Sequence, residues 1–267
     1  MKTNKQPIGV FDSGLGGLTV LKYLNKKFPN ESFIYFGDTE HVPYGNKSAE
    51  NIISYTAKIC EFLISKKVKL IIIACNTASA IALNYIKKHI DIPIFGVIIP
   101  CIKDAILNTK NNRIGIIGTY ATISSRIYSN YIIKQYPKVK IFEKSCPLFV
   151  PLVEEGWNDS QITVDIAKIY LKTLTKHHID TLILGCTHYP LLKNTLRTIL
   201  GKNIKLISSE KSMSKLIFEF LKNHNLLSNN SIQKNKFYVT DLPQKFNELG
   251  SRFLNEKLIN VKHIELK

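Results

Sequence analysis

Two cysteines of this chain lie in matching surroundings. Leu70-Ile71-Ile72-Ile73-Ala74-Cys75-Asn76-Thr77-Ala78 and, roughly a hundred residues later, Leu182-Ile183-Leu184-Gly185-Cys186-Thr187-His188-Tyr189-Pro190 each run from an apolar strand through a cysteine into small and hydroxyl-bearing residues that open a helix. A thiol placed there has unpaired backbone N–H groups and the positive end of a helix dipole beside it, which favours the thiolate. One activated thiol per half of a duplicated fold suggests a reaction that needs two matched bases. Asp12 stands where it could poise Cys75, and His188, two residues beyond Cys186, could poise the second thiol. The turns Asn76-Thr77 and Thr187-His188 offer hydrogen-bond donors for a carboxylate.

The elements that position these groups alternate between strand-like apolar runs and helical patterns, which predicts parallel sheets built from βαβ units. Ile8 to Phe11 is a strand ending at Asp12-Ser13-Gly14-Leu15-Gly16-Gly17, before a helix from Leu18 to Lys26. Phe33 to Phe36 is the next, ending at Gly37-Asp38-Thr39, and a helix from Ala49 to Lys66 carries Cys60 on its apolar face. The pattern restarts at Arg113 to Thr119, then Val139 to Phe142, then Leu182 to Cys186, and this sustained offset over three strands indicates duplication. The tail holds a helix from Ser212 to Asn223, a polar loop from Ser228 to Asn235, a strand at 237–239 and a closing helix and strand. The expected fold is therefore two pseudo-symmetric parallel-sheet α/β domains. Residues 1–98 and 209–267 form the first, with Cys75, and residues 99–208 the second, with Cys186. Ligands of such sheets bind beyond the carboxyl ends of the strands, which here supply Asp12, Ser13, Asp38, Cys75 to Thr77, Thr119, Thr122 and Cys186 to His188, converging on an interdomain cleft.

With 267 residues and a hydrophobic fraction of 45%, the chain has enough apolar side chains for ordinary globular cores. The longest apolar run is interrupted by Asn76, Thr77 and Asn84, so no membrane span is expected; the N-terminus lacks a signal-peptide pattern, and a cytoplasmic location follows. The net charge of +17 raises the question of nucleic acid, but it is carried by scattered lysines, with arginine only at 113, 126, 197 and 252. Specific groove reading relies on arginine, so no specific nucleic-acid partner is expected. The five cysteines show no C-x-x-C pair and no spacing for a structural metal. The glycines after the first strand fail the dinucleotide fingerprint because Thr19 stands where its third glycine belongs, and Asp12 would repel a pyrophosphate.

At this level of detail the chain resembles the bacterial glutamate racemases of the aspartate/glutamate racemase superfamily. The resemblance rests on Ile8 to Gly17, Tyr35 to Thr39 with Val42-Pro43-Tyr44-Gly45, Ala74 to Ala80, Gly118 to Thr122, Cys146 to Gly156 and Leu184 to Pro190, in family order over nearly the whole length. It implies interconversion of L- and D-glutamate without cofactor or metal, supplying D-glutamate for peptidoglycan, by a homodimer. It further implies that Cys75 acts on D-glutamate and Cys186 on L-glutamate. Asp12 would assist Cys75 and receive the ammonium, and His188, oriented by Glu154, would assist Cys186. Substrate contacts would come from Asp12, Ser13, Tyr44, Gly45, Asn76, Thr77, Thr187 and His188, with Thr119 and Thr122 as carboxylate donors. Ile99 and Ser208 depart from residues common in relatives, a polar or acidic one and an aspartate, in the region expected to join the domains. Two other readings stay open: a racemase for another acidic amino acid such as aspartate, and a non-catalytic lysine-rich binding protein on a racemase scaffold.

Overall fold

The computed structural model describes residues 3–229 and 235–266, so 230–234 of the expected polar loop lie outside the described residues. In chain order the elements are β1 (Ile8–Asp12), α1 (Leu18–Lys27), β2 (Phe33–Gly37), α2 (Ala49–Ser65), β3 (Leu70–Ile73), α3 (Asn76–Ile81), α4 (Leu83–His89), β4 (Ile94–Gly96) and α5 (Ile98–Asn108). There follow β5 (Arg113–Gly118), α6 (Tyr120–Ser124), α7 (Ile127–Gln135), β6 (Lys140–Ser145), α8 (Phe149–Glu154), α9 (Gln161–Lys176), β7 (Thr181–Gly185), α10 (Lys193–Leu200) and β8 (Lys205–Ser208). The chain closes with α11 (Ser209–Asn223), β9 (Lys236–Val239), α12 (Pro243–Leu254) and β10 (Val261–His263).

These strands form two wholly parallel sheets, ordered β10-β9-β2-β1-β3-β4 and β6-β5-β7-β8, each with helices from its crossovers. The quartet β2-β1-β3-β4 is thus repeated as β6-β5-β7-β8. The repeat extends to single residues: Ile8 pairs with Phe33 and Leu70, as Ile114 pairs with Ile141 and Thr181. Counting forward from Leu70 and from Thr181 by the same number of residues reaches Cys75 and Cys186. The two thiols therefore hold the same place in the two sheets. Strands β1 and β3 are buried along their whole length, which is why they read as unbroken apolar runs instead of alternating ones.

Four elements differ from the sequence expectation. The short strands β4 and β8 carry too few residues to announce themselves by pattern. Strand β6 begins at Lys140 and runs to Ser145, because it lies at a sheet edge and keeps charged residues on a half-exposed face. Helix α11 starts at Ser209, earlier than the apolar spacing indicated, since its first turn buries polar Ser209, Glu210 and Ser212. Cys60 is fully buried with Ile59 and Leu63 on α2, as its helical spacing implied. At the amino-terminal ends of the first sheet's strands, buried Lys69 donates to Glu31 at 2.6 Å and to the carbonyls of Asn4 and Leu226, binding three distant segments together. No helix among the described residues is long and apolar enough to cross a membrane.

Candidate active site

The first cysteine ends a strand and begins a helix. Cys75 has extended backbone angles, caps α3, and its sulfur accepts from the Ala78 N–H at 3.5 Å. Its thiol also donates to the Ser13 hydroxyl, 3.4 Å away in the loop after β1. The helix start does not make it a thiolate. Burial, reinforced by the nearby Asp12 carboxylate, pushes the Cys75 thiol up to about 12, against the smaller opposing effects of the Ser13 and Ala78 hydrogen bonds. The sequence expectation of a thiolate at Cys75 is corrected accordingly: desolvation outweighs a helix terminus of six residues.

The second cysteine is built differently. Strand β7 ends at Gly185, and Cys186 to His188 form a bend and turn into a 3-10 turn, Tyr189–Leu192, before α10 begins at Lys193. No α-helix opens at Cys186, because Pro190 and the short turn intervene. A histidine stands there instead. His188 Nδ1 lies 3.8 Å from the Cys186 sulfur and its Nε2 lies 3.0 Å from Glu154 Oε1, at the end of α8. Burial pulls the imidazole down, but hydrogen bonding and charge from Cys186 and Glu154 more than reverse this and raise it to about 10. The site thus sets a thiol raised by burial at Cys75 against an imidazole at His188 that is held between Cys186 and Glu154 and raised by them.

A cavity of about 390 Å³ lies between the two sheets and receives both sulfurs. Of the residues expected to touch a substrate, Ser13, Tyr44, Gly45, Asn76, Thr77, Thr119, Thr187 and His188 reach its wall, as does Glu154. Asp12 and Thr122 do not. Asp12 is fully buried behind the wall, accepting from the Gly14 N–H at 3.0 Å and from the Thr187 hydroxyl at 3.4 Å. Burial raises its pKa, with the His188 charge opposing. Thr122 sits behind Thr77 and Thr119, and the three hydroxyls lie within 2.9–3.1 Å of one another, joining α3 to the end of β5. The Tyr44 hydroxyl is already committed, donating to buried Asp38 at 2.5 Å, so Tyr44 presents its ring and backbone to the cavity. Asn76 donates to the Tyr128 hydroxyl at 3.0 Å, while its amide oxygen is buried without a protein partner. The sequence reading missed the apolar share of the wall: Val42, Tyr120, Pro147, Leu148, Val150 and Pro151. Its only signal was the run Cys146-Pro147-Leu148-Phe149-Val150-Pro151, whose apolar residues lie in a loop and short helix beside the strand ends.

Similarity to known proteins identifies the family. Residues 16–212 match the family model described as Asp/Glu/Hydantoin racemase. A glutamate racemase of Geobacter metallireducens is 45% identical over 97% of both chains. The chain belongs to this racemase family. Among solved structures, a glutamate racemase isoform of Bacillus anthracis superposes with a TM-score of 0.95 at 36% identity, covering 98% of each chain. The glutamate racemase of Francisella tularensis in complex with D-glutamate gives 0.93 at 40% identity over 99% of each.

In this racemase-family chain Gly16 permits close contact between the loop after β1 and the Cys186 loop, and Gly17 permits close packing on Asp12. A Cβ on Gly16 would lie 2.2 Å from the Thr187 hydroxyl oxygen and 2.5 Å from His188 Nδ1, and one on Gly17 would lie 2.5 Å from the Asp12 Cβ. Thr19, the residue that broke the dinucleotide fingerprint, donates to the carbonyls of Gly16 and Thr187 at 2.8 and 3.0 Å. A Gly16→Ala substitution is therefore expected to push the Cys186 loop away from the first sheet. The racemase activity should fall about a hundredfold, the cost of displacing a catalytic group by an ångström, with little change in the thermal midpoint because the displaced loop can relax. Activity within twofold of the parent would show that the contact is dispensable.

Proposed function

We propose that this chain interconverts L- and D-glutamate without a cofactor, using Cys75 and Cys186 as paired acid and base. The observation that carries the reading is the placement of two thiols at equivalent register positions of two sheets, both open to one cavity and each with its own partner groups. Inverting a stereocentre through a planar carbanion needs a base on one face and an acid on the other, and two thiols across a cavity meet that need. With L-glutamate, Cys186 takes the α-proton while His188 balances its charge, and the Cys75 thiol returns a proton to the opposite face. With D-glutamate the roles are exchanged. Ser13, Asn76, Thr77, Thr119 and Thr187 supply donors to the carboxylates, with Thr122 holding Thr77 and Thr119 in place, and Tyr44 and Gly45 close one side. Asp12 acts from behind the wall through Thr187 and the charge of His188, in place of the direct ammonium contact that the resemblance implied.

Each positioned acid or base contributes about 10²–10⁴-fold, which is too little for so weak a carbon acid. The remainder is assigned to desolvation in the buried cavity and to the donors around the developing carbanion. The domains proposed are 1–98 with 209–267, and 99–208; β9 and β10 in the first sheet support the discontinuous assignment. From the family resemblance we also infer a cytoplasmic homodimer supplying D-glutamate for peptidoglycan.

The test is proton NMR of L-glutamate and, separately, D-glutamate in D₂O with protein free of metal and pyridoxal phosphate, followed by chiral analysis and with aspartate as the competing substrate. Loss of the α-proton signal with formation of the opposite glutamate enantiomer is the expected result. No exchange with either isomer in folded protein, or a strong preference for aspartate, would overturn the assignment.

A further inference from the structure

The partner groups of Cys186 do not rest on the second sheet alone. Helix α12 lies between β9 and β10 of the first sheet, and it is seated on α1, where a Cβ on Gly250 would lie 2.9 Å from Leu18. Two adjacent residues of α12 reach across to the second sheet's site. Arg252 Nη2 donates to the backbone carbonyl of Glu154 at 2.8 Å. Glu154 is the last residue of α8, where carbonyls lack helical partners, so a guanidinium there satisfies an orphan acceptor and complements the helix dipole. Gly156, turning with φ of 78°, passes beneath the same guanidinium. Phe253 then meets His188 edge to face, with ring centroids 5.7 Å apart and planes at 85°. The imidazole is thereby bounded by Phe253, by the Glu154 carboxylate and by the bare backbone of Gly16.

Cys75 has no such arrangement. The groups that touch its sulfur, the Ser13 hydroxyl in the loop after β1 and the Ala78 N–H in α3, come from its own sheet's segments.

Resting on the two-base reading above, we propose that Arg252 and Phe253 are positioning residues for the Glu154–His188 pair, so that the Cys186 half-site is assembled by a helix of the first domain. Arg252 fixes the backbone from which the Glu154 carboxylate reaches Nε2, and Phe253 fixes the plane of the ring that presents Nδ1 to the sulfur. Neither residue touches the reacting atoms. Loss of either leaves the ring free to turn away from the sulfur, and only the proton transfer at Cys186 suffers.

Single-base variants separate this role from general support of the fold. In Cys75→Ser protein the remaining thiol is Cys186, and deuterium exchange at the α-carbon of L-glutamate reports on it alone. In Cys186→Ser protein, exchange of D-glutamate reports on Cys75 alone. Adding Arg252→Ala, which loses one charged hydrogen bond, or Phe253→Leu, which loses the edge-to-face contact, should slow the first exchange about tenfold and leave the second within twofold. Equal losses in both backgrounds, or no loss in either, would overturn the proposal. Nitrogen-15 NMR of His188, assigned with His188→Asn, provides a reading that needs no turnover. Its titration midpoint should fall in Arg252→Ala as Glu154 loses its hold, whereas an unchanged or rising midpoint would refute positioning. If neither serine variant exchanges any α-proton, the two-base reading fails, and the titration still decides whether Arg252 positions the pair.

Discussion

Replacing either Cys75 or Cys186 by serine is expected to abolish racemisation while retaining one-sided proton exchange. A serine hydroxyl is nearly isosteric with the thiol but far less acidic, so it can neither become the base nor return the proton at a useful rate. The loss in turnover should reach at least the 10²–10⁴-fold that one positioned acid–base group contributes. Both variants should fold, because each sulfur makes few packing contacts that oxygen cannot replace: Cys75 retains Ser13 and the Ala78 N–H within reach, and Cys186 retains His188. The informative signature is the exchange that survives. Cys75→Ser should exchange the α-proton of L-glutamate with solvent and not that of D-glutamate, and Cys186→Ser should do the opposite. Enantiomers have equal free energies, so kcat/KM of the parent must be the same in both directions. The difference between a thiol at Cys75 and a histidine-backed Cys186 therefore appears in kcat and KM separately, with compensating changes. A serine variant that keeps full turnover, or one that exchanges both enantiomers, would remove the two-base assignment.

The repeat of strand, thiol and hydroxyl residue was legible because it depends on local order along the chain. Strand register then carried Cys75 and Cys186 to the same place in two sheets. Most of the expected polar residues reach the cavity for the same reason, since they follow strands whose ends must gather at one edge. What sequence order hid was depth. Asp12 and Thr122 stand in the right segments but one layer behind the wall, and Tyr44 spends its hydroxyl on Asp38. Depth also decides ionisation. The start of α3 argued for a thiolate at Cys75, and full burial beside Asp12 argues more strongly for the thiol. Contacts between distant segments were equally invisible. Nothing near Arg252 in the chain points to Glu154, and nothing near Gly16 points to His188, yet both contacts reach the second half-site. The D-S-G-L-G-G loop shows the ambiguity plainly: its glycines are spaced much as in a nucleotide loop, yet Gly16 serves the close approach of the Cys186 loop and Gly17 the packing on Asp12.

Burial of so many thiols makes alkaline pH the condition under which this fold should fail. Cys60 and Cys101 are held up to about 12 by desolvation, as is Cys75, and Cys146 is raised further by the same cause. All four are buried and unpaired. In the unfolded chain each ionises near its ordinary value of 9.0, and in the folded chain each must stay protonated. The sign follows from proton counting: above pH 9 the unfolded state binds fewer protons than the native one, so stability falls as pH rises, until the folded pKa values near 12 are reached. Each group costs about 1.4 kcal/mol per pH unit in that window, and four together cost about 5 kcal/mol per unit. His188 adds to the loss in an earlier range, because its folded pKa of about 10 exceeds the ordinary 6.5; the stability it contributes is complete below 6.5 and declines as pH rises to 10. One effect opposes this. Neutralising the lysines lowers the self-repulsion of a chain with net charge +17, but exposed lysines titrate almost alike in both states and contribute little to the slope. A fold of ordinary stability, about 5–15 kcal/mol, should therefore be largely unfolded between pH 10 and 12. Urea midpoints measured at half-unit steps from pH 7 to 11 should decline gently to pH 9 and steeply above it. Cys60→Ala, which removes one thiol from the middle of α2 without opposing the helix, should reduce the slope between pH 9 and 10, where four thiols and His188 titrate, by about a fifth. A midpoint that stays level from pH 8 to 10.5, or a Cys60→Ala slope equal to the parent's, would mean that the buried thiols do not govern the alkaline limit.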